Sequence, residues 1–342
     1  MISTKIRISI LFTILALAFS SSSCAEPIPP QTEFIIGTVC NVNLFEKGSR
    51  EAYKEIFARL REIEERMSAN AEGTEVDAIN QAAGIHPVSV HPDTLEVIRA
   101  ARHYAEISGG AFDPTVGPLV KLWNIGSEDA AIPLQSELDQ ALHLIDWRNL
   151  VIDETAKTAF LKQRGMRLDL GAIAKGYAAD EVARIIERHR IPRAIIDLGG
   201  NVLAYGSKQG NKPWRIGVQD PSGARGSYIG ILEIINKTMV TSGVYERFFI
   251  EEGRRYHHIL STHDGYPVQN GLLSVTIVAD RSIDADGLST TVFALGYERG
   301  EALVESIPGL AAIYVFEDLS IKLSPGVKNS FKLTNPNFHL VK

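Results

Sequence analysis

MRLDLGAIAKGYAAD, from Met166 to Asp180, joins a short apolar run, Met166 to Leu170, to the residues Ala178, Val182, Ile185 and Ile186, which recur at helical spacing. The pattern predicts a strand over 166–170, a glycine-flanked turn and then a helix. Backbone amides at a helix N-terminus have no intrahelical acceptor and favour anions. Lys175 adds a positive charge there, and Gly171, Ala172 and Gly176 leave room for a ligand to reach the backbone. A phosphate or pyrophosphate fits this description. Small residues at a strand–helix junction also serve tight packing, so the rest of the chain has to decide between the two readings.

Downstream, RAIIDLGGNVLAYG (Arg193 to Gly206) reads as a buried strand with a Gly-Gly turn. It lacks the G-x-G-x-x-G spacing and the Walker pattern, which argues against a doubly wound nucleotide fold. Strand-like runs follow over 214–219, 228–235, 238–242, 246–250 and 272–278. Upstream, EFIIGTVCNVNLF (33–45) reads as one apolar strand interrupted at Gly37 and Thr38. Residues 50–67 read as an amphipathic helix with Tyr53, Ile56, Phe57, Leu60, Ile63 and Met67 on one face. Ser68 to Asn80 reads as a polar loop, in which Asn70 is a turn residue or part of a pocket rim. A second amphipathic helix follows Pro92, capped by Asp93 or Thr94, with Leu95, Ile98, Tyr104 and Ile107 facing inward and Gly109-Gly110 stopping it. AFDPTVGPLVKLWNIG (111–126) has neither period. With Phe112, Trp123 and two prolines, it is either a wall for an aromatic ligand ring or a rigid connection. A helical stretch over 133–145 and strands near 150–152 and 159–161 lead back to the opening run. Helices early and strands in succession later predict an α+β fold.

A chain of 342 residues, 45% hydrophobic and 22% charged, is long enough for a two-lobed domain or two domains. Its net charge is −6, and −8 once the first 23 residues, with Lys5, Arg7 and no acid, are set aside. Such a surface argues against general nucleic-acid binding. Residues 1–23 have the pattern of an export signal: two basic residues, the apolar run Ile8 to Phe19, then Ser20 to Ser23 ahead of Cys24. The apolar run is shorter than a comfortable membrane span. The small residues before Cys24 resemble a bacterial lipoprotein signal, although Ser21 stands where such signals usually carry Leu. Cleavage after Ala25 is the alternative. With Cys24 lipidated, Cys40 is the only free cysteine and reads as a small buried apolar residue. Residues 24–32, with Pro27, Pro29 and Pro30, then form a tether to a folded body over 33–342.

Two late segments carry explicit chemistry. In Tyr256-His257-His258-Ile259-Leu260, adjacent histidines on a strand point to opposite faces, so only one can face a given pocket, which argues against a joint metal site. A lone exposed histidine is the plain alternative. In IDADGLSTTVFALG (Ile283 to Gly296), a helix starting near Ala285 would put Asp286 and Thr290 on one face. One carboxylate and one hydroxyl suit a hard cation such as Mg²⁺ or Ca²⁺. Alternatively, Asp284 or Asp286 caps the helix and Thr290 bonds a backbone carbonyl.

Taken together, DLGAIAKG, AFDPTVGPL, the SGVYER run (Ser242 to Arg247), His258-Ile259 ahead of Gly265-Tyr266-Pro267, and the helix around Asp286 resemble in order and spacing the ApbE family of bacterial FAD:protein FMN transferases. The resemblance spans roughly residues 33 to 335. It implies the family's flavin transferase fold, with mixed and antiparallel sheets, flanking helices and an FAD cleft between lobes. It also implies Mg²⁺-dependent cleavage of the FAD pyrophosphate. By likeness, Asp286 and Thr290 hold the metal together with the Ala172 carbonyl. Asp169, Lys175, Glu246 and the run Ala111-Phe112-Asp113 match positions that contact FAD. His258, with Ile259 beside it, matches a histidine near the reacting centre, and a histidine titrating near neutrality suits proton removal. The implied reaction moves FMN to a threonine of exported flavoproteins in electron-transport complexes and releases AMP. The implied location is the periplasmic face of the inner membrane, lipid-anchored at Cys24, or the soluble periplasm without that lipid.

The chain departs from the family pattern at three places. Ile36 stands where Met is usual, Ser261-Thr262 replaces an acid and a proline, and Asn70 falls where many members have a pocket Tyr. Losing that ring removes stacking area and admits water, so FAD hydrolysis to FMN and AMP is an alternative activity. An exported, non-catalytic flavin-binding lipoprotein is a third reading, disfavoured by the presence of Asp286 and Thr290.

Overall fold

The computed structural model describes residues 28–341. The expected signal peptide, Cys24 and residues 24–27 of the expected tether lie outside the described residues. The run 33–45 is not one strand. Ile36 and Gly37 both take positive φ, 57° and 64°, which is the geometry of a two-residue hairpin turn. The chain therefore doubles back, and β1 (Gln31–Ile35) pairs antiparallel with β2 (Thr38–Leu44). Strand structure thus begins two residues before the expected boundary.

Helix α1 (Arg50–Met67) buries all six apolar residues predicted for its inner face. The segment expected to be a polar loop contains α2 (Glu75–Gln81), whose first turn is closed by the Thr74 hydroxyl accepting from the Asp77 amide. After β3 (Val88–Ser89), α3 (Pro92–Ser108) is capped by His91 rather than by Asp93 or Thr94. Pro92 suits the first helical position because no amide is needed there, and Asp93 is turned instead to Arg59 and Arg66. Ile107, expected inside, is exposed at 36%. Gly109, at φ 65°, ends the helix. The segment 111–126 holds one short helix, α4 (Gly117–Trp123), and α5 (Gln135–Leu142), β4 (Leu150–Asp153) and β5 (Thr158–Leu161) follow as expected.

Residues 166–170 do not form a strand. Arg167 makes one isolated parallel bridge with Val116, and the buried Asn80 side chain serves Leu168 as a strand neighbour would, accepting from its amide at 2.6 Å and donating to its carbonyl at 3.1 Å. The helix after it is α6 (Ala174–Arg188), with Ala178, Val182, Ile185 and Ile186 buried as predicted. The chain then continues through β6 (Ala194–Leu198), β7 (Asn201–Tyr205), β8 (Trp214–Gln219), β9 (Tyr228–Ile234), β10 (Lys237–Gly243), β11 (Phe248–Glu251), β12 (Arg254–His257), β13 (Leu272–Ala279), α7 (Ser282–Leu295), α8 (Tyr297–Ser306), β14 (Ala311–Phe316), β15 (Ser320–Leu323), β16 (Phe331–Leu333) and β17 (His339–Leu340).

Three bodies result. A nine-stranded sheet in the order β1-β2-β6-β7-β10-β13-β14-β15-β17 is antiparallel except for β15–β17. The core beneath one face holds the inner residues of α1, α3, α6 and α7. On its other face the small sheet β16-β9-β8 closes a second core, in which Trp214, Val218 and Leu232 meet Ile313 and Val315. A third cluster packs α4 and α5 against the β11–β12 hairpin through Leu119, Trp123, Leu138 and Tyr256. The fold is α+β with mixed and antiparallel sheets and flanking helices, and its large cleft lies where these bodies meet.

Candidate active site

A cavity of about 1120 Å³ opens between the β1–β2 turn, the start of α6, the β8–β9 loop, the run after β10 and α7. It is larger than an ordinary small-ligand pocket and roomy enough for a dinucleotide. The residues that the family resemblance assigns to the site all line it, as does Asn70: Ile36, Asn70, Ala111, Phe112, Asp113, Asp169, Ala172, Lys175, Glu246, His258, Ile259, Asp286 and Thr290.

The α6–α7 crossing builds one of its walls. Helix α7 starts at Ser282, three residues earlier than the sequence suggests, and neither Asp284 nor Asp286 caps it. Asp180, the last residue of the opening run, reaches across from α6 and accepts from the Ser282 and Ile283 amides at 2.7 and 3.1 Å. Asp284 is taken by the Tyr104 hydroxyl at 2.7 Å. Asp286 is therefore free of capping. Its Oδ2 accepts from the Gly176 amide at 2.8 Å, one of the orphan donors in the first turn of α6. The nearest cation to its Oδ1 is Lys175 Nζ, 4.0 Å away. The helices approach so closely at Gly176 that a Cβ there would lie 2.7 Å from Asp286 Cβ and from Ile283 Cα. The packing reading of the small residues is thus correct for Gly176, while Gly171, Ala172 and Lys175 line the cavity.

Thr290, one turn beyond Asp286, does not bond a backbone carbonyl. Its hydroxyl lies 3.1 Å from Ser242 Oγ, which also meets Ser289 Oγ at 2.9 Å. Among the described residues the Ala172 carbonyl receives no backbone hydrogen bond, and no group of three or more His, Cys, Asp or Glu side chains could hold a metal. The available donors are one carboxylate oxygen, one hydroxyl and one carbonyl. All are hard oxygens, too few to close a coordination shell alone, which suits a magnesium-like ion that keeps water and substrate oxygens. Burial raises the Asp286 pKa, opposed by Lys175 and the Gly176 amide. A bound cation would offset that cost.

Lys175 donates to the Gly171 carbonyl at 3.0 Å, and Asp169 accepts from the Gly171 amide at 2.7 Å, so the turn before α6 is braced from both ends. Glu246 is open to the cavity but walled by protein. That burial raises its pKa, against the pull of Lys175 and Arg247. Asp113 lines the cavity with Ala111 and Phe112, and its carboxylate is engaged within the wall. Its oxygens accept from the Thr115 amide, the Thr115 hydroxyl and the Trp147 amide at 2.7, 2.7 and 3.0 Å, so the group stiffens the wall that presents Ala111 and Phe112.

The paired histidines separate as predicted. His257 is buried, its Nε2 2.9 Å from the Val268 carbonyl, whereas His258 lines the cavity. The amide of His258 and its Nδ1 both approach the Arg247 carbonyl, at 3.1 and 3.3 Å. That contact makes Nδ1 the protonated nitrogen and leaves the Nε2 lone pair free. The expectation of titration near neutrality does not hold: burial first, then the charges of Arg247, His257 and Lys175, push His258 down to about 3. Sequence reasoning missed Asp180 as the cap and Asn80 as a backbone surrogate, and it did not give Ser242 the partnership with Thr290. No local pattern marks these roles, because each partner lies 48 or more residues away.

The ApbE family model matches residues 36–314. A FAD:protein FMN transferase of Treponema pallidum is 38% identical over 327 residues, 91% of this chain and 90% of that protein. One from Klebsiella pneumoniae is 37% identical over 286 residues, covering 84% and 89%. Among solved structures, the ApbE protein of Thermotoga maritima superposes with a TM-score of 0.81 at 33% identity, covering 88% of this chain and 98% of that one. The flavin transferase ApbE of Vibrio cholerae gives 0.76 at 28% identity, covering 90% and 97%.

Proposed function

The chain belongs to the ApbE family, and from that membership we propose that it is a Mg²⁺-dependent FAD:protein FMN transferase. The observation that carries this reading is the union of Asp286 and Thr290 on α7 with Ala172 and Lys175 at the start of α6 along one cavity wall. We assign Asp286 Oδ1, the Thr290 hydroxyl and the Ala172 carbonyl to the cation. When bound, the cation neutralises charge on the pyrophosphate and on the departing AMP.

The chain's own groups supply the rest. Lys175 draws the pyrophosphate toward the α6 N-terminus, and Ile36, Ala111, Phe112, Asp169, Glu246 and Ile259 form walls around FAD. An acceptor threonine hydroxyl attacks the phosphorus nearer the flavin. A new P–O–C bond forms, the bond to the AMP phosphate breaks with its electron pair leaving on AMP, and the hydroxyl proton passes to His258 Nε2. The negative charge of FAD would offset Arg247 and Lys175, two of the charges that, after burial, hold the His258 pKa down.

Incubation with FAD, Mg²⁺ and a threonine-bearing acceptor tests the proposal: acceptor mass increased by FMN, with AMP released, is the expected result, and FAD left intact sinks it. FAD pyrophosphatase activity is the second reading, favoured by the exposed Asn70 at the cavity rim. On the sequence pattern of residues 1–24 we further propose export and lipid anchoring at Cys24, with exported flavoproteins of electron-transport complexes as acceptors.

A further inference from the structure

The β11–β12 hairpin stands at the mouth of the cleft and has one free edge. Glu252 and Gly253, at φ 50° and 77°, make a two-residue turn, so the closing pair Glu251–Arg254 exchanges both backbone hydrogen bonds. The His258 amide donating to the Arg247 carbonyl at 3.1 Å puts the other end of the ladder in the same phase. Between these ends, alternation turns the N–H and C=O of Phe248 and Ile250 away from β12. β11 pairs with β12 alone, and no other backbone bonds to it among the described residues. Phe248 and Ile250 share one face and are 38% and 61% exposed, with the Arg255 guanidinium 4.6 Å from the Phe248 ring centroid.

We propose that this edge is the docking strand for the acceptor polypeptide, which adds as an extended segment beside β11 and so delivers its hydroxyl to the cleft. The proposal rests on the transferase reading, since only transfer needs a polypeptide at the site. The occupant follows from continuity. β11 leads back through Arg247 to Glu246, and Phe248 and Arg255 themselves line the cavity. His258 is tied to the Arg247 carbonyl, one residue before the edge begins. A strand advances about 3.3 Å per residue, so a segment paired with Phe248 and Ile250 reaches the cleft within a few residues. Backbone pairing supplies affinity without demanding a long sequence match, and Phe248 and Ile250 supply apolar contact for alternate side chains.

The test is Ile250→Pro, with Ile250→Ala as control. Proline removes only the outward N–H of Ile250, leaving the ladder to β12 intact. The probe is a pool of threonine-centred random dodecapeptides. Flavinylation is followed by mass, FAD affinity by flavin fluorescence and folding by thermal melt. Ile250→Pro is expected to lower kcat/KM for peptide about tenfold at unchanged FAD affinity, with a smaller effect from Ile250→Ala. In the wild type, amide exchange at Phe248 and Ile250 should slow when peptide is added. Unchanged peptide kinetics in a folded Ile250→Pro, or a wild-type dimer that this variant dissolves, overturns the proposal. Exchange protection without any transfer in the wild type would instead sink the transferase reading, and with it the edge's role as acceptor site, leaving only a peptide-binding edge.

Discussion

Asp286 divides its two oxygens between two tasks: Oδ2 holds the Gly176 amide, and Oδ1 is left to the cavity. Asp286→Asn keeps the first and loses the charge needed for the second, so Mg²⁺-dependent FAD cleavage should fall about 100-fold or more. Ala172→Ser leaves the backbone oxygen in place and should do far less harm. The reverse order in a steady-state assay would refute this division. The same substitution should stabilise the metal-free protein. Because the folded pKa of Asp286 lies above the unfolded value, its contribution to stability is present below the ordinary carboxylate range and is lost as pH rises through the folded pKa. Asp286→Asn should accordingly raise the Tm at pH 7 by about 2 °C or more, with the gain vanishing near pH 4; an unchanged melt at pH 7 contradicts it. His258→Ala should lower transfer at saturating FAD about 100-fold with FAD binding retained. The depressed pKa of His258 gives the opposite linkage: stability is complete above about pH 6.5, where the unfolded histidine is neutral too, and declines as pH falls toward 3. Denaturant midpoints between pH 7 and 4 should therefore drop less for His258→Ala than for the parent.

Helices α6 and α7 act as one element of the site. Asp180 closes the α7 N-terminus, Gly176 sets the distance of approach and its amide holds Asp286, all within two turns of α6. Gly176→Ala forces a methyl against Ser282, Ile283 and Asp286 and should cost about 1–3 kcal/mol, read as a lowered denaturation midpoint with weakened Mg²⁺ activation. Asp180→Ala removes the acceptor of two amides and should cost about 1 kcal/mol or more. If either variant melted like the parent, the crossing would not be the tight contact described. The heptad-like burial of α1 and α6 was legible in their apolar periodicity. The caps of α3 and α7 were not, because His91 is an uncommon cap and Asp180 belongs to another helix.

For the whole molecule, the cleft is the junction of three separately packed bodies, and Asn70 sits on its rim. With FAD and Mg²⁺ but no acceptor, AMP should form at a substantial rate, and Asn70→Tyr should suppress it by restoring a ring over the nucleotide. Strict dependence on an acceptor in the parent protein would count against this. Among the described residues no helix is long and apolar enough to cross a membrane; the anchoring proposed above is assigned to Cys24. Detergent partitioning of the parent and Cys24→Ala chains measures it, and equal partitioning would remove the lipid from the account.

The sequence by itself determined the class of fold, the inward faces of α1 and α6, the hairpin at Gly199-Gly200 and the separation of His257 from His258, because each follows from a period or turn chemistry held within a few residues. Motif order likewise carried the family. What only the tertiary structure decided were relations across the chain. Ile36-Gly37 became a turn because β1 and β2 pair, residues 166–170 formed no strand because the Asn80 side chain and a single bridge to Val116 take the place of a neighbouring strand, and Asp286 was freed because Asp180 performs the capping. The run Met166–Asp180 is both cavity-lining loop and packing joint. A sequence pattern registers the small side chains both roles need, but not which neighbour, ligand or helix, each of them meets.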